Sequence, residues 1–389
     1  MFLKTMGALP GMIYSQESNA VYVNLFVGSR ATVTLNGQSV AIRQTTRYPW
    51  EGTVAISIDP AAPTEFDIFV RIPGWSQPVD DSVGLYHDRN RRQSKPVSLA
   101  INGQPVDKFE RERGYARLHR TWQAGDVIDL TLEMPVRQVV ANAKVEADAG
   151  LVALMRGPIV YCAESIDNRA GIQHLVVPAE ASFKDEFQPD LLGGVTLLNG
   201  LVKTRREQGA ISDAPLTAIP FYVASNRAPT QMRVWLPAVI DKAIESTLAT
   251  RSTPSASHCW QLDSVGAIND GVVPQKSSDN TIPRLSWWDH RGTVEWAQLD
   301  FPQETPVAKL SLFWFADRPI SGGCDVPQSW QLLYRNGNDW VPVEATTEYS
   351  TKLDQFNELI FKPVTTSALR IKVKLQAGWS AGIHEVMVE

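Results

Sequence analysis

The stretch Phe66-Asp67-Ile68-Phe69-Val70-Arg71-Ile72-Pro73-Gly74-Trp75 limits this chain more than any other, because it alternates with period two and then stops at a corner. Phe66, Ile68 and Val70 fall on one side of an extended backbone, and Asp67, Phe69 and Arg71 on the other. Proline lacks the donor a ladder needs and glycine tolerates positive φ, so the strand ends there and Trp75 is delivered just beyond, as a plug over the edge of a β core. Similar short runs recur along the sequence. Asn36-Gly37 and Asn102-Gly103 each separate two of them, and Asn-Gly is the strongest short hairpin signal because both central residues of a type I′ turn need positive φ.

This pattern predicts an all-β chain of tandem antiparallel β-sandwiches. A short helix over residues 1–14, with Phe2, Leu3, Met6, Leu9 and Ile13 at mixed helical spacing, is the one exception expected. At 389 residues the chain is longer than one growing core supports, so more than one domain is expected. One or two sandwich modules are placed over 15–245. The Ser/Thr/Ala-rich stretch Ser246–Ser257 reads as a linker, and 258–389 as a separate sandwich. Asp80–Lys95, with Arg89, Arg91 and Arg92, reads as a solvated loop, and 165–215 as loop-rich with turns at Leu191–Gly194 and Asn199-Gly200.

A formal net charge of −5 and the lack of any Lys/Arg run interleaved with aromatics argue against a nucleic-acid partner. No apolar run approaches the length of a membrane helix, and Met1-Phe2-Leu3-Lys4 has no signal-peptide layout, so neither a membrane nor an export address is expected. Cys162, Cys259 and Cys324 are odd in number and far apart, which leaves neither a disulfide framework nor a Cys-x-x-Cys knuckle. No Gly-x-Ser-x-Gly or phosphate-loop pattern occurs. Glu51, Glu164, Asp289 and Glu295 are the acids nearest aromatic residues, and a two-carboxylate glycosidase site would need such a pair within about 5–10 Å.

Several motifs in one order carry a family resemblance: Val21–Ser29, Tyr48-Pro49-Trp50-Glu51-Gly52, Arg71-Ile72-Pro73-Gly74-Trp75, Gly114-Tyr115 to Gly125-Asp126, Arg156-Gly157-Pro158-Ile159-Val160-Tyr161 and Asn226–Leu236. Residues 1 to about 240 resemble the non-catalytic β portion of the bacterial β-L-arabinofuranosidase family of glycoside hydrolases. Residues 258–389 resemble the discoidin-like, sugar-binding-type sandwich. The first resemblance implies an upstream (α/α)6 catalytic barrel in which a cysteine thiolate is the nucleophile, held on zinc with a second cysteine and a glutamate, while another glutamate is the acid/base. It also implies that Lys4–Tyr14 is the remnant of the barrel's last helix, with the Cys-Cys-Pro-Pro-Asn motif ahead of Met1. No residue of this chain inherits those roles, so the catalytic zinc is not expected in it.

The function expected is that of a C-terminal accessory portion, inactive alone, which supports or targets a catalytic domain on plant-type glycans. The alternative is a free-standing carbohydrate-binding protein. Partners expected are an arabinose-containing or related plant polysaccharide, the missing catalytic domain and a second copy as a homodimer. An aromatic platform with hydroxyl-directed polar groups is what a sugar site requires, and Trp287, Trp288, His290, Arg291, Arg318, Asp325 and Trp379 supply both in the loops of the last module. Strand alternation sends at least one of Trp287 and Trp288 into the core. The discoidin-like resemblance also implies a structural calcium, with Asp270 and Glu385 at the matching early Asp-Gly loop and late glutamate.

Overall fold

The computed structural model describes residues 2–77, 84–89, 97–169, 171–206, 209–228 and 230–389. Strands dominate, and two short helices, Phe2–Ala8 and Pro10–Ile13, precede them. The chain divides into two compact units. The first comprises residues 1–172, 177–202 and 215–239, and the second 173–176, 203–214 and 240–389.

In the first unit, one sheet runs Tyr14–Gln16, Ala20–Val23, Thr64–Arg71, Tyr115–Trp122 and Glu110–Glu112. A second runs Ser29–Leu35, Gln38–Thr46, Thr53–Pro60, Asp126–Thr131, Ser98–Ile101 and Gln104–Pro105. Their facing side chains form one core that includes Phe66, Ile68, Val70 and Trp122, with Trp75 packed at its margin. Asn36/Gly37 and Asn102/Gly103 all have φ between 48° and 76°, as the hairpin reading requires. Among the described residues of this unit, Ala20–Val23 runs parallel to Thr64–Arg71, an exception to the antiparallel pairing. The connection between those two strands passes through three strands of the other sheet, so they enter their own sheet from the same end.

A third sheet includes Val195–Arg205, Ile211–Pro220, Ile159–Glu164, Leu151–Arg156, Val136–Ala141 and Tyr86–Asp88. Two loop expectations give way here. Tyr86–Asp88 lies inside the supposed loop 80–95 and pairs with Val139–Ala141, whereas Arg91 and Arg92 lie outside the described residues. Residues 165–215 also hold Phe183–Gln188, paired along the whole of Val195–Gly200. Asn199-Gly200 is therefore strand, not turn. A Cβ on Gly200 would stand 2.5 Å from the Phe183 ring, so this glycine makes room for an aromatic lying across it.

The second unit has its own core and a seven-stranded sheet ordered Leu285–Ser286, Gly382–Val388, Val294–Phe315, Phe356–Lys374, Ser329–Asn336 and Asp339–Pro342, with Thr253–Ala256 also on Val294–Phe315. The Ser/Thr-rich stretch is built into this unit. Asn269 Nδ2 donates to Ala249 O (2.7 Å) and Ser252 O (2.9 Å), Ser252 Oγ to Leu248 O (2.7 Å), and Thr253–Ala256 pairs residue for residue with Ala297–Asp300. Hydroxyls that mark a linker by composition here satisfy buried backbone groups. Among the described residues no helix is long and apolar enough to cross a membrane.

Candidate carbohydrate pocket and cation site

Strand Leu285–Ser286 pairs with Gly382–Ile383 at the sheet edge, and Trp287 N continues the contact to Ala381 O at 3.0 Å. Alternation then separates the two indoles. Trp287 is fully buried in the core, so it presents no face to a ligand, while Trp288 turns outward. The Trp288 ring lies against the backbone of Gly323, where a Cβ would come within 2.0 Å of it. At Gly322 a Cβ would come within 1.9 Å of the Asp317 carboxyl, whose Oδ1 accepts Cys324 N at 2.8 Å. Two adjacent glycines thus let the loop wrap its own acid and accept an indole.

Beside this contact lies a cavity of about 210 Å³ lined by Trp260, Asn280, Arg284, Ser286, Trp288, Phe315, Asp317, Gly323 and Cys324. The Arg284 guanidinium stands 4.5 Å over the Phe315 ring, and its buried Nε forms an ion pair with Asp263 Oδ1 at 3.4 Å. The other oxygen of Asp263, Oδ2, accepts Ser286 Oγ. Aromatic walls with a guanidinium, an amide and a carboxylate are what a sugar ring needs, since its C–H face stacks and its hydroxyls take directed hydrogen bonds.

Of the residues singled out from sequence, Trp288 alone lines the cavity. Arg291 sits 4.9 Å over the Trp288 ring. Arg318 pairs with Asp325 at 2.6 Å and stands 4.8 Å over Trp379, a cluster joined to the cavity through Gly323 and Cys324 but not lining it. His290 Nδ1 meets buried Glu295 Oε1 at 2.8 Å, and its ring stacks on His258 at 4.0 Å. Trp260, Asn280, Arg284, Phe315 and Asp317 are absent from the sequence-based set; the adjacent glycines Gly322-Gly323 are the sequence feature that could have drawn attention to this loop.

His258, Asp289 and His290 offer ligand atoms within 4.8 Å of one another. Stacked imidazoles at 19° point their in-plane lone pairs side by side rather than at one ion, so this trio is poorly arranged for a metal. Asp270 and Glu385 are better suited. Glu385 is buried, and its pKa is pushed up to about 10, first by burial and then by the charge of Asp270, although Gly271 N donates to its Oε2 at 3.0 Å. Asp270 Oδ1 accepts Val272 N at 2.8 Å. Two adjacent carboxyls of which one is buried need a proton or a cation, and an all-oxygen set suits calcium. Gly271 has φ +77°, and a Cβ there would meet Ile244 at 2.3 Å, so the turn that presents Asp270 requires glycine.

Comparison with known proteins bears chiefly on the first unit. The model of the beta-L-arabinofuranosidase GH127 middle domain matches residues 20–134, and that of the glycoside hydrolase family 127 C-terminal domain matches residues 136–237. The chain belongs to glycoside hydrolase family 127. It is similar to the non-reducing end beta-L-arabinofuranosidase of Bifidobacterium longum subsp. longum, at 34% identity over 221 residues, or 50% of this chain and 30% of that protein. Among solved structures, a GH127 beta-L-arabinofuranosidase from Geobacillus stearothermophilus T6 shares 34% identity at a TM-score of 0.54, covering 63% of this chain and 36% of the other. A GH127 beta-arabinofuranosidase shares 34% at a TM-score of 0.57, with 61% and 38% covered. This family member thus spans about a third of the length of the relatives it matches.

Proposed function

We propose that this GH127 chain is a non-catalytic portion of a β-L-arabinofuranosidase-like protein and that its second unit binds glycan in the Trp260–Trp288 cavity, targeting or supporting hydrolysis performed by a catalytic domain. The observation that carries this reading is the cavity itself, where two indoles, the Arg284 side chain, an amide and a carboxylate line one space of about 210 Å³. The thiols support the absence of a cysteine nucleophile: burial pushes Cys162 and Cys324 up to about 12 and raises Cys259 as well. A calcium held by Asp270 and Glu385 would belong to the scaffold of this unit, supplying charge neutralisation rather than chemistry.

Calorimetric titration with arabinose-containing oligosaccharides tests the reading. We expect binding by the intact chain, a loss of about tenfold or more in Trp288→Ala and Arg284→Ala, and no release of nitrophenol from an aryl β-L-arabinofuranoside. Thiol-dependent hydrolysis by the chain alone would overturn the non-catalytic assignment. Binding that survives both substitutions would place the sugar elsewhere.

A further inference from the structure

In the second unit, the face of the sheet turned away from the core assembles a basic and aromatic surface from residues distant in sequence. Ala297, Leu299, Leu332, Ile371 and Val373 point into the core, so their strand neighbours point outward. Register puts Trp296 beside Lys372, Gln298 beside Arg370, and Val294 beside Lys374; on the next strand Ser329, Gln331 and Leu333 sit beside Lys374, Lys372 and Arg370. Arg335 pairs with Trp340 one strand further out. These rows carry four cations, Arg335, Arg370, Lys372 and Lys374, and one carboxylate, Asp300.

The cations are held in place. The Arg370 guanidinium lies 4.4 Å over the Trp296 ring and 4.0 Å over the Trp340 ring, and Arg335 lies 5.0 Å over Trp340. Gln298 Oε1 accepts both Arg370 Nε (3.0 Å) and Nη2 (2.6 Å), and Gln298 Nε2 is in turn tied to Asp300 Oδ2 at 2.6 Å. Arg335 takes up Asp300 at 3.3 Å, and Lys374 Nζ donates to Gly292 O at 2.7 Å. Burial first, and then the charge of Arg335, depress the pKa of Arg370, while Asp300 opposes them. Asp300 is ion-paired to Arg335 and bonded to Gln298, and its charge also reaches Arg370, so among the described residues of these rows one carboxylate faces four cations.

We infer that this sheet face binds an anionic polysaccharide bearing carboxylates, a uronate polymer, at a surface separate from the Trp260–Trp288 cavity. The spread of its cations over neighbouring strands favours a polymer, because single weak carboxylate contacts gain strength when several are tethered along one chain. Outward side chains on one strand recur about every 6.6 Å and neighbouring strands lie about 4.8 Å apart, so the cations form a grid that spans several sugar units. Nucleic acid fits less well, since both indoles are already stacked by guanidiniums where a base platform needs a free ring. The chain's overall charge of −5 conceals this excess.

Affinity electrophoresis of the whole chain in gels containing polygalacturonate tests the inference, with the fully methyl-esterified polymer and single-stranded DNA as comparisons. Retardation by polygalacturonate is expected to weaken about tenfold between 50 and 200 mM salt, to fall by a similar factor in Lys372→Glu, and to persist in Trp288→Ala. Equal retardation by the methyl ester, no effect of Lys372→Glu, or no retardation at all would overturn it. Stronger retardation by DNA would assign the face to nucleic acid instead. Because Trp288→Ala reads the cavity and Lys372→Glu reads the sheet face, failure of one reading leaves the other standing.

Discussion

Glu385 is where burial and charge conflict most sharply in this molecule. Its folded pKa of about 10 lies above that of an ordinary carboxyl, so between pH 4.5 and 10 the folded state binds a proton that the unfolded state has released. Without a cation, the stability this carboxyl contributes is fully present below its unfolded pKa and is lost as pH rises through the folded one. Calcium would reverse the trend by replacing the proton. Thermal unfolding in chelator should therefore show a melting temperature that falls from pH 6 to pH 8, and millimolar calcium should raise it more at pH 8 than at pH 6. Glu385→Gln should flatten the chelator slope and abolish the calcium response; a pH-independent calcium response in that variant would rule out the pair as the ligands. The neighbouring tryptophans make a second residue-scale contrast. Trp287→Ala empties a core site and should cost about 3–5 kcal/mol in urea unfolding, whereas Trp288→Ala should change sugar binding with a much smaller stability loss.

Among the elements, hairpins were legible because local chemistry decides them. Asn102 illustrates how completely: at φ 51° it donates Nδ2 to Asp126 Oδ1 (2.7 Å) and accepts Val127 N (2.9 Å), so one side chain fixes the turn and the strand that pairs beside it. Asn102→Ala forfeits both bonds and keeps a strained φ, and an unfolding midpoint lowered by the equivalent of about 1–3 kcal/mol is expected. Elements that depend on distant partners were not legible. Phe183–Gln188 has no alternating pattern because it is largely exposed, and it is a strand only because Val195–Gly200 lies beside it. The cavity shares this property. Trp260, Arg284 and Phe315 come from three separated stretches, and only sheet register and the Gly322-Gly323 turn bring them together. Trp288 was legible because an indole one residue from a core indole must face outward.

At the scale of the molecule, two hydrophobic cores exist side by side in the sequence but share no residue: one runs from Val21 to Leu132 and the other from Ala249 to Val388. The first core closes the first two sheets and the second core the seven-stranded sheet, so each is expected to unfold as its own cooperative unit, with ligands of one acting on one transition. The proposed calcium and glycan sites both lie in the second unit, at Asp270 with Glu385 and at the Trp260–Trp288 cavity. Scanning calorimetry should accordingly resolve two endotherms, of which saturating glycan and calcium raise only one; glycan at a hundredfold excess over its dissociation constant stabilises that unit by about 2.7 kcal/mol. Trp122→Ala, in the first core, should lower the other endotherm and leave the ligand-responsive one in place. A single transition that moves as a whole with glycan and with Trp122→Ala would mean that the two cores are energetically one. In that case a ligand bound by the second unit would be felt by the GH127-matched unit, and binding in one would be linked to the stability of the other.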